Sequence, residues 1–160
     1  MYDFAIAGDL SKPELYRELA SSADALTSGE LDGVANMANV AALFWQMLPD
    51  LNWAGFYRLL DGELVLGPFC GKPACIRIPL GQGVCGTAAA SASTQRVADV
   101  HAFPGHIACD AASRSELVVP VLRAGAVVAV IDLDSPLPGR FDSDDQAGIE
   151  ALAVLAASRI

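Results

Sequence analysis

The spacing of apolar residues changes twice along this chain, from steps of three and four to strict alternation and back again. Ser11 with Glu14 three residues later forms a capping-box signal, and the Ala-, Leu- and Glu-rich stretch behind it predicts a helix over about 11–28. Val34, Met37, Ala38, Ala41, Trp45 and Leu48 keep the helical step over about 32–48, and Pro49-Asp50 breaks it. From Asn52 the period is two. Trp53, Gly55, Tyr57 and Leu59 share one face of a predicted strand, while Ala54, Phe56 and Leu60 share the other. Asp61-Gly62 is a type I′ turn signal, and 63–67 reads as the returning strand of a hairpin.

After a short strand at 76–79, a glycine-rich turn leads into an alanine-rich segment, 86–93, read as a short helix whose start carries Cys85. Residues 99–115 have no sustained period and read as a long ordered loop, of the kind that usually carries function in compact domains. A strand pair, 116–123 and 126–135, turns at Ala124-Gly125; Pro120 has no amide to donate and calls for an edge or a bulge there. Ser143 to Gln146 gives a second capping box with an acidic first turn, ahead of a closing helix over 149–160. The order helix, helix, hairpin, strand, helix, loop, hairpin, helix contains no alternating βαβ units. It predicts an α+β domain: a largely antiparallel central sheet with helices packed on one side and a loop-covered pocket on the other.

With 160 residues, 53% of them hydrophobic, the chain suits one core, so 1–160 is expected to be a single domain with an N-terminal helix at 11–28 and a core at 32–160. The net charge of −9 repels nucleic acid and anionic membrane surfaces, leaving a small zwitterion or a protein as partner. The start Met1-Tyr2-Asp3-Phe4-Ala5-Ile6 has no basic region, and no apolar run approaches the roughly 20 residues of a membrane helix. A cytoplasmic location is therefore expected. In a reducing compartment the four cysteines read as catalytic, metal-binding or buried thiols rather than structural disulfides.

Cys75, Cys85 and Cys109 all sit beside loop or helix-opening signals, which suggests thiol redox chemistry. Cys70, in the apolar Gly67-Pro68-Phe69-Cys70 segment, reads as a buried hydrophobe. Gly81-Gln82-Gly83-Val84-Cys85-Gly86 matches G-x-G-x-x-G but lacks the βαβ unit that nucleotide binding requires. The glycines are better explained by a tight turn presenting Cys85 at a helix N-terminus, where the dipole would lower the thiol pKa. The spacings C-x4-C, C-x9-C and C-x23-C contain no close pair, and only His101 and His106 could complete a zinc site, so no metal is expected. Each histidine alone is more simply a loop hydrogen-bonder.

Alternation places Val128, Val130, Asp132 and Asp134 on one strand face and Ala129, Ile131 and Leu133 on the other, so two acids end an apolar stripe. Either the strand is emerging into solvent, or both carboxylates face a pocket, where like charges raise one pKa and leave a proton donor beside an ammonium acceptor. Glu116 could join them from the partner strand. Trp53 and Tyr57, sharing a strand face, read on periodicity as core residues; the alternative is the aromatic wall of a pocket suited to a sulfur group.

N-W-A-G-F-Y at 52–57, L-G-P-F-C-G-K at 66–72, A-C-I-R-I-P-L-G-Q-G-V-C-G-T-A at 74–88, D-V-H-A-F-P-G-H-I-A-C-D-A-A-S-R-S-E at 99–116 and I-D-L-D-S at 131–135 closely resemble the free methionine-R-sulfoxide reductases, a family of GAF-domain enzymes. The resemblance runs from about Asn36 to the end. It implies reduction of free L-methionine-R-sulfoxide without a cofactor, electrons from thioredoxin, and a homodimer. By position it makes Cys109 the attacking cysteine, Cys75 its resolving partner and Cys85 a second resolving or relay thiol. Glu116, Asp132 and Asp134 become substrate-binding acids, and Trp53 and Tyr57 the aromatic pocket. Cys70 departs from the family pattern and is either inert or an extra thiol. The competing readings are a GAF sensor that binds without turnover and acts through a separate partner, and a structural zinc domain.

Overall fold

The computed structural model describes residues 10–105 and 112–160. Helix α1 (Lys12–Thr27) and helix α2 (Gly33–Met47) precede strands β1 (Trp53–Leu60), β2 (Glu63–Gly71) and β3 (Arg77–Pro79). Helix α3 (Gly83–Ser91), strand β4 (Gln95–Val97), a 3-10 turn (Val100–Ala102), strands β5 (Ser115–Arg123) and β6 (Ala126–Ser135) and helix α4 (Ser143–Ala156) complete the order. The six strands form one antiparallel sheet in the order β3-β2-β1-β6-β5-β4. This is the α+β architecture expected. Among the described residues no helix is long and apolar enough to cross a membrane.

Strand alternation gives the sheet two apolar faces. Ala54 and Phe56 of β1, Leu117, Val119 and Val121 of β5, and Ala129, Ile131 and Leu133 of β6 meet α1, α2 and α4 in the larger core, where the Phe44 and Phe56 rings stack. Trp53, Tyr57, Leu64, Val118 and Val130 face the other way, against α3. Three helices thus cover one face, and the short α3 shares the second with the pocket.

Local chemistry explains where the boundaries fall. The Ser11 amide donates to Glu14 Oε2 at 2.9 Å, which fixes the entry to α1. At the two hairpin turns, Asp61-Gly62 and Ala124-Gly125, all four residues have positive φ, as a type I′ turn requires. β2 runs to Gly71, beyond the expected 63–67. Gly55 pairs with Phe69 and Tyr57 with Leu66, so Pro68 falls inside a bulge where no ladder bond is demanded of it. Pro120 is tolerated for a related reason, because β4 reaches only Glu116 to Val118 and leaves that side of Pro120 unpaired.

Other expectations are corrected. The second bulge, between Val121 and Leu122, slips the alternation in β6, so Val128 packs on the helix-side core and Val127 takes its place on the Val130 face. α3 opens at Gly83 rather than 86, with Gln82 as N-cap, which puts Cys85 inside its first turn. The true cap of α4 is Asp142: its Oδ1 accepts from the amides of Asp144 and Asp145 at 2.9 and 3.1 Å, and Asp145 Oδ2 accepts from its amide at 2.8 Å. Asp145 also receives Lys12 Nζ (2.6 Å), Tyr16 Oη (2.8 Å) and Arg140 Nη1 (2.6 Å), which ties α1 and the 135–142 turn to α4.

Candidate functional site

The register of three strands brings the acids together. Trp53 of β1 lies opposite Asp134 of β6, and Asp134 lies opposite Glu116 of β5; two residues on, and on the same face, Gly55, Asp132 and Val118 make the next row. All of these face α3, so the carboxylates enter a pocket rather than solvent. The pocket, open at its mouth, is bounded by Trp53, Tyr57, Cys85, Glu116, Asp132 and Asp134 together with the 72–74 segment.

Trp53 and Tyr57 are both core and pocket wall. Only 4% and 2% exposed, they stack on each other at 5.8 Å between centroids, and Trp53 stacks on Phe69 at 5.2 Å. Their polar ends clamp the link between β2 and β3: Trp53 Nε1 donates to the Lys72 carbonyl at 3.2 Å, and Tyr57 Oη to the Cys75 carbonyl at 3.1 Å. Cys75 is thereby held, half-buried, behind one wall of the pocket. Cys70 sits on β2 opposite Ala54, half-buried, and burial raises its pKa, which agrees with an unreactive packing thiol.

The glycine motif does what the turn reading asked of it. Gly81 and Gly83 take φ of +80° and +62°, and a side chain on Gly86 would stand 2.4 Å from the Pro79 carbonyl, so the helix starts hard against β3. The consequence for Cys85 differs from expectation. Its thiol is 4% exposed, donates to Glu116 Oε1 at 3.9 Å, and has its pKa raised well above the ordinary value by burial and by Asp132 and Glu116. Burial beside carboxylates outweighs the helix dipole, whose influence is worth only about 0.3–1 kcal/mol in most settings.

Glu116 and Asp132 are each 6% exposed, and their oxygens lie within 4.8 Å of one another and of Cys85 Sγ. Burial first, then the neighbouring charges of Asp132 and Asp134, pushes Glu116 well above the carboxylate range. Burial carries Asp132 up to about 7 against hydrogen bonds from Cys85 and Glu116 that favour its ionised form. Glu116 is therefore the carboxyl that holds its proton most firmly, and it donates toward Asp132.

This arrangement costs stability as the pH rises. Above the ordinary carboxylate pKa of about 4 the unfolded chain releases protons that the folded site keeps, so stability falls from there to Asp132's value of about 7, and further as Glu116 ionises. Asp142, held below the ordinary range by Lys12, acts only on the acid side of that window. Asp132→Asn is accordingly expected to melt several degrees above the parent at pH 8, about 2–4 °C for each kcal/mol recovered, with the difference vanishing near pH 4. Thermal scans across pH check this; a parent Tm that rises from pH 5 to 8 as steeply as the variant's contradicts it.

The supporting residues were less legible. Ser113, 4% exposed, lines the pocket and accepts from Asn52 Nδ2 at 3.0 Å. Ser115 Oγ donates to the Leu137 carbonyl at 2.7 Å and accepts from the Arg140 amide at 3.2 Å, fixing the strand end that carries Glu116. Alternation marks the strand but not which serines anchor it. His101 is exposed, its ring nitrogen 3.1 Å from Asp99, the cap of the 3-10 turn. His106 and Cys109 lie outside the described residues.

Comparison with known proteins places this geometry. The GAF domain model matches residues 37–160. The chain is 51% identical over 143 residues to the free methionine-R-sulfoxide reductase of Escherichia coli, covering 89% of this chain and 87% of that one. It is 43% identical over 157 residues to the free methionine-R-sulfoxide reductase of Saccharomyces cerevisiae, covering 93% and 87%. The structure superposes with a TM-score of 0.94 on free methionine-R-sulfoxide reductase from Neisseria meningitidis in complex with its substrate, at 41% identity over 99% of this chain and 95% of that one.

Proposed function

This chain belongs to the GAF domain family and, within it, to the free methionine-R-sulfoxide reductases, and from that premise we propose that it reduces free L-methionine-R-sulfoxide to L-methionine. The observation that carries the reading is the buried acid cluster beside the Trp53–Tyr57 wall. It combines a carboxyl that keeps its proton with acceptors for an α-ammonium group, next to aromatic faces that suit a thioether.

In this mechanism the Cys109 thiolate attacks the sulfoxide sulfur. Glu116 gives its proton to the sulfoxide oxygen, and as the transient sulfur–sulfur bond breaks the hydroxyl passes from the substrate sulfur to Cys109, leaving a sulfenic acid there and releasing methionine. The Cys75 thiol then displaces water from that sulfenic acid, forming a Cys75–Cys109 disulfide, and thioredoxin reduces it by passing over two electrons and two protons. Cys85, with its raised pKa, is a slower partner for the same exchange and serves as a relay. The enzyme acts as a cytoplasmic homodimer, and no cofactor enters any step.

Substrate choice follows from the ammonium contact. Asp134 and the ionised form of Asp132 hold the free amino group, which peptide-bound methionine sulfoxide lacks. N-acetylmethionine-R-sulfoxide is expected to be turned over at least about 100-fold less efficiently than the free amino acid, because acetylation removes the cation and leaves buried carboxylates unpaired. Thioredoxin-coupled assays on the two compounds test this; equal kcat/KM values would remove the acid cluster from substrate recognition.

A further inference from the structure

The geometry points to a second ligand for the pocket floor: a thiophilic divalent cation, Zn²⁺ or its analogue Cd²⁺, held by Cys85, Glu116 and Asp132 and excluding the amino-acid substrate. Sequence spacing gave no hint of it, because the donors come from α3, β5 and β6 and none is a close neighbour of another in the chain. The fold nevertheless brings one sulfur and two carboxylate oxygens within 4.8 Å of one another, with Cys85 Sγ 3.9 Å from Glu116 Oε1. A tetrahedral zinc with arms of about 2.3 Å to sulfur and about 2.0–2.2 Å to oxygen needs donors roughly 3.3–3.7 Å apart. Binding would have to draw the donors together from their present separations to that spacing.

A second observation, on one oxygen of the cluster, also points to a ligand. Asp132 is only 6% exposed, it lines the pocket, and its Oδ1 has no hydrogen-bond partner among the described residues. A buried oxygen left in that condition gains strongly from a cation. One sulfur with two oxygens selects a borderline-soft ion over Mg²⁺ or Ca²⁺, which demand six or more oxygens. The pocket mouth supplies a fourth position for water. The ion would lie where the substrate's ammonium group and reacting oxygen are proposed to sit, so both cannot be bound together. It lies at the edge of the apolar cluster that Cys85 shares with α3. The exclusion half of this inference rests on the proposed function; the binding half does not.

The test is a Cd²⁺ titration of the whole, phosphine-reduced protein, read by the ultraviolet thiolate-to-metal charge-transfer band and repeated with Zn²⁺ by calorimetry. One equivalent is expected, with affinity at least tenfold weaker in Cys85→Ser and in Asp132→Asn and unchanged in Cys70→Ser. Asp132→Asn keeps the thiol in place and decides the matter should Cys85→Ser fail to fold. A band that survives Cys85→Ser, or an affinity indifferent to Asp132→Asn, overturns the site. Competition is then read with free methionine-R-sulfoxide: a metal Kd that rises in proportion to added sulfoxide supports exclusion, and a Kd that stays constant overturns it. Loss of turnover alone would leave metal binding intact, so the two failures are separable.

Discussion

A Cys109→Ser variant is expected to form no methionine from free methionine-R-sulfoxide, whether electrons come from thioredoxin or from a small dithiol. In the proposed mechanism the new bond to oxygen is made on the Cys109 sulfur. A serine hydroxyl neither ionises near neutral pH nor has a counterpart of the sulfenic acid, so the first chemical step has no substitute. Cys75→Ser should behave differently. It leaves the first step intact and removes only the fast exit from the sulfenic acid, so small thiols continue to support turnover while thioredoxin-dependent turnover falls at least about tenfold. Methionine measured by mass spectrometry under both reductants separates the two variants. Full activity of Cys109→Ser would sink the assignment.

The second large effect concerns Glu116. Glu116→Gln keeps the shape and a hydrogen-bond donor but has no proton to transfer, so the rate of the first turnover should fall by about 10²–10³-fold, within the range that a positioned general acid contributes. Substrate affinity should change much less, because the ammonium contacts are assigned to Asp132 and Asp134. Asp134→Asn should show the reverse pattern, a raised KM with a smaller loss of kcat. Rapid-quench single-turnover rates at pH 6–8 check this. Gln at 116 retaining the rate within about threefold would transfer the proton-donor role to another group.

Much of the fold was legible because binary patterning and turn chemistry agreed. The alternation at 53–60 and 126–135, with type I′ signals at Asp61-Gly62 and Ala124-Gly125, is enough to define both hairpins. What failed were places where one residue defeats a periodic rule. Gly83 and Gly86 weaken the local helix preference, so α3 reads as starting late. Pro68 mimics a strand end when it occupies a bulge, and the extra residue at Val128 reverses a face. β4, with three residues, is too short for any period to reveal.

The candidate site divides along the same line. The stripe ending in Asp132 and Asp134 is visible in the sequence pattern, which leaves it open between solvent and a pocket; the register with β1 and β5 decides. Cys85 shows the limit more sharply. Its place near a helix start suggests a lowered pKa, and only the three-dimensional position of Glu116 and Asp132 reverses that. Local sequence reports the dipole; it does not report which charges the sheet delivers from far along the chain.

In the proposed function this pocket reduces one epimer of a free amino acid with electrons from its own thiols. This reaction is tested most directly by mixing the reduced protein, freed of reductant, with L-methionine-R-sulfoxide or with the S epimer, and quantifying methionine and disulfides by mass spectrometry. About one equivalent of methionine per chain is expected from the R epimer, little or none from the S epimer, and a Cys75–Cys109 disulfide in the product. No methionine from either epimer would contradict it and would leave a GAF pocket that binds its ligand without turning it over.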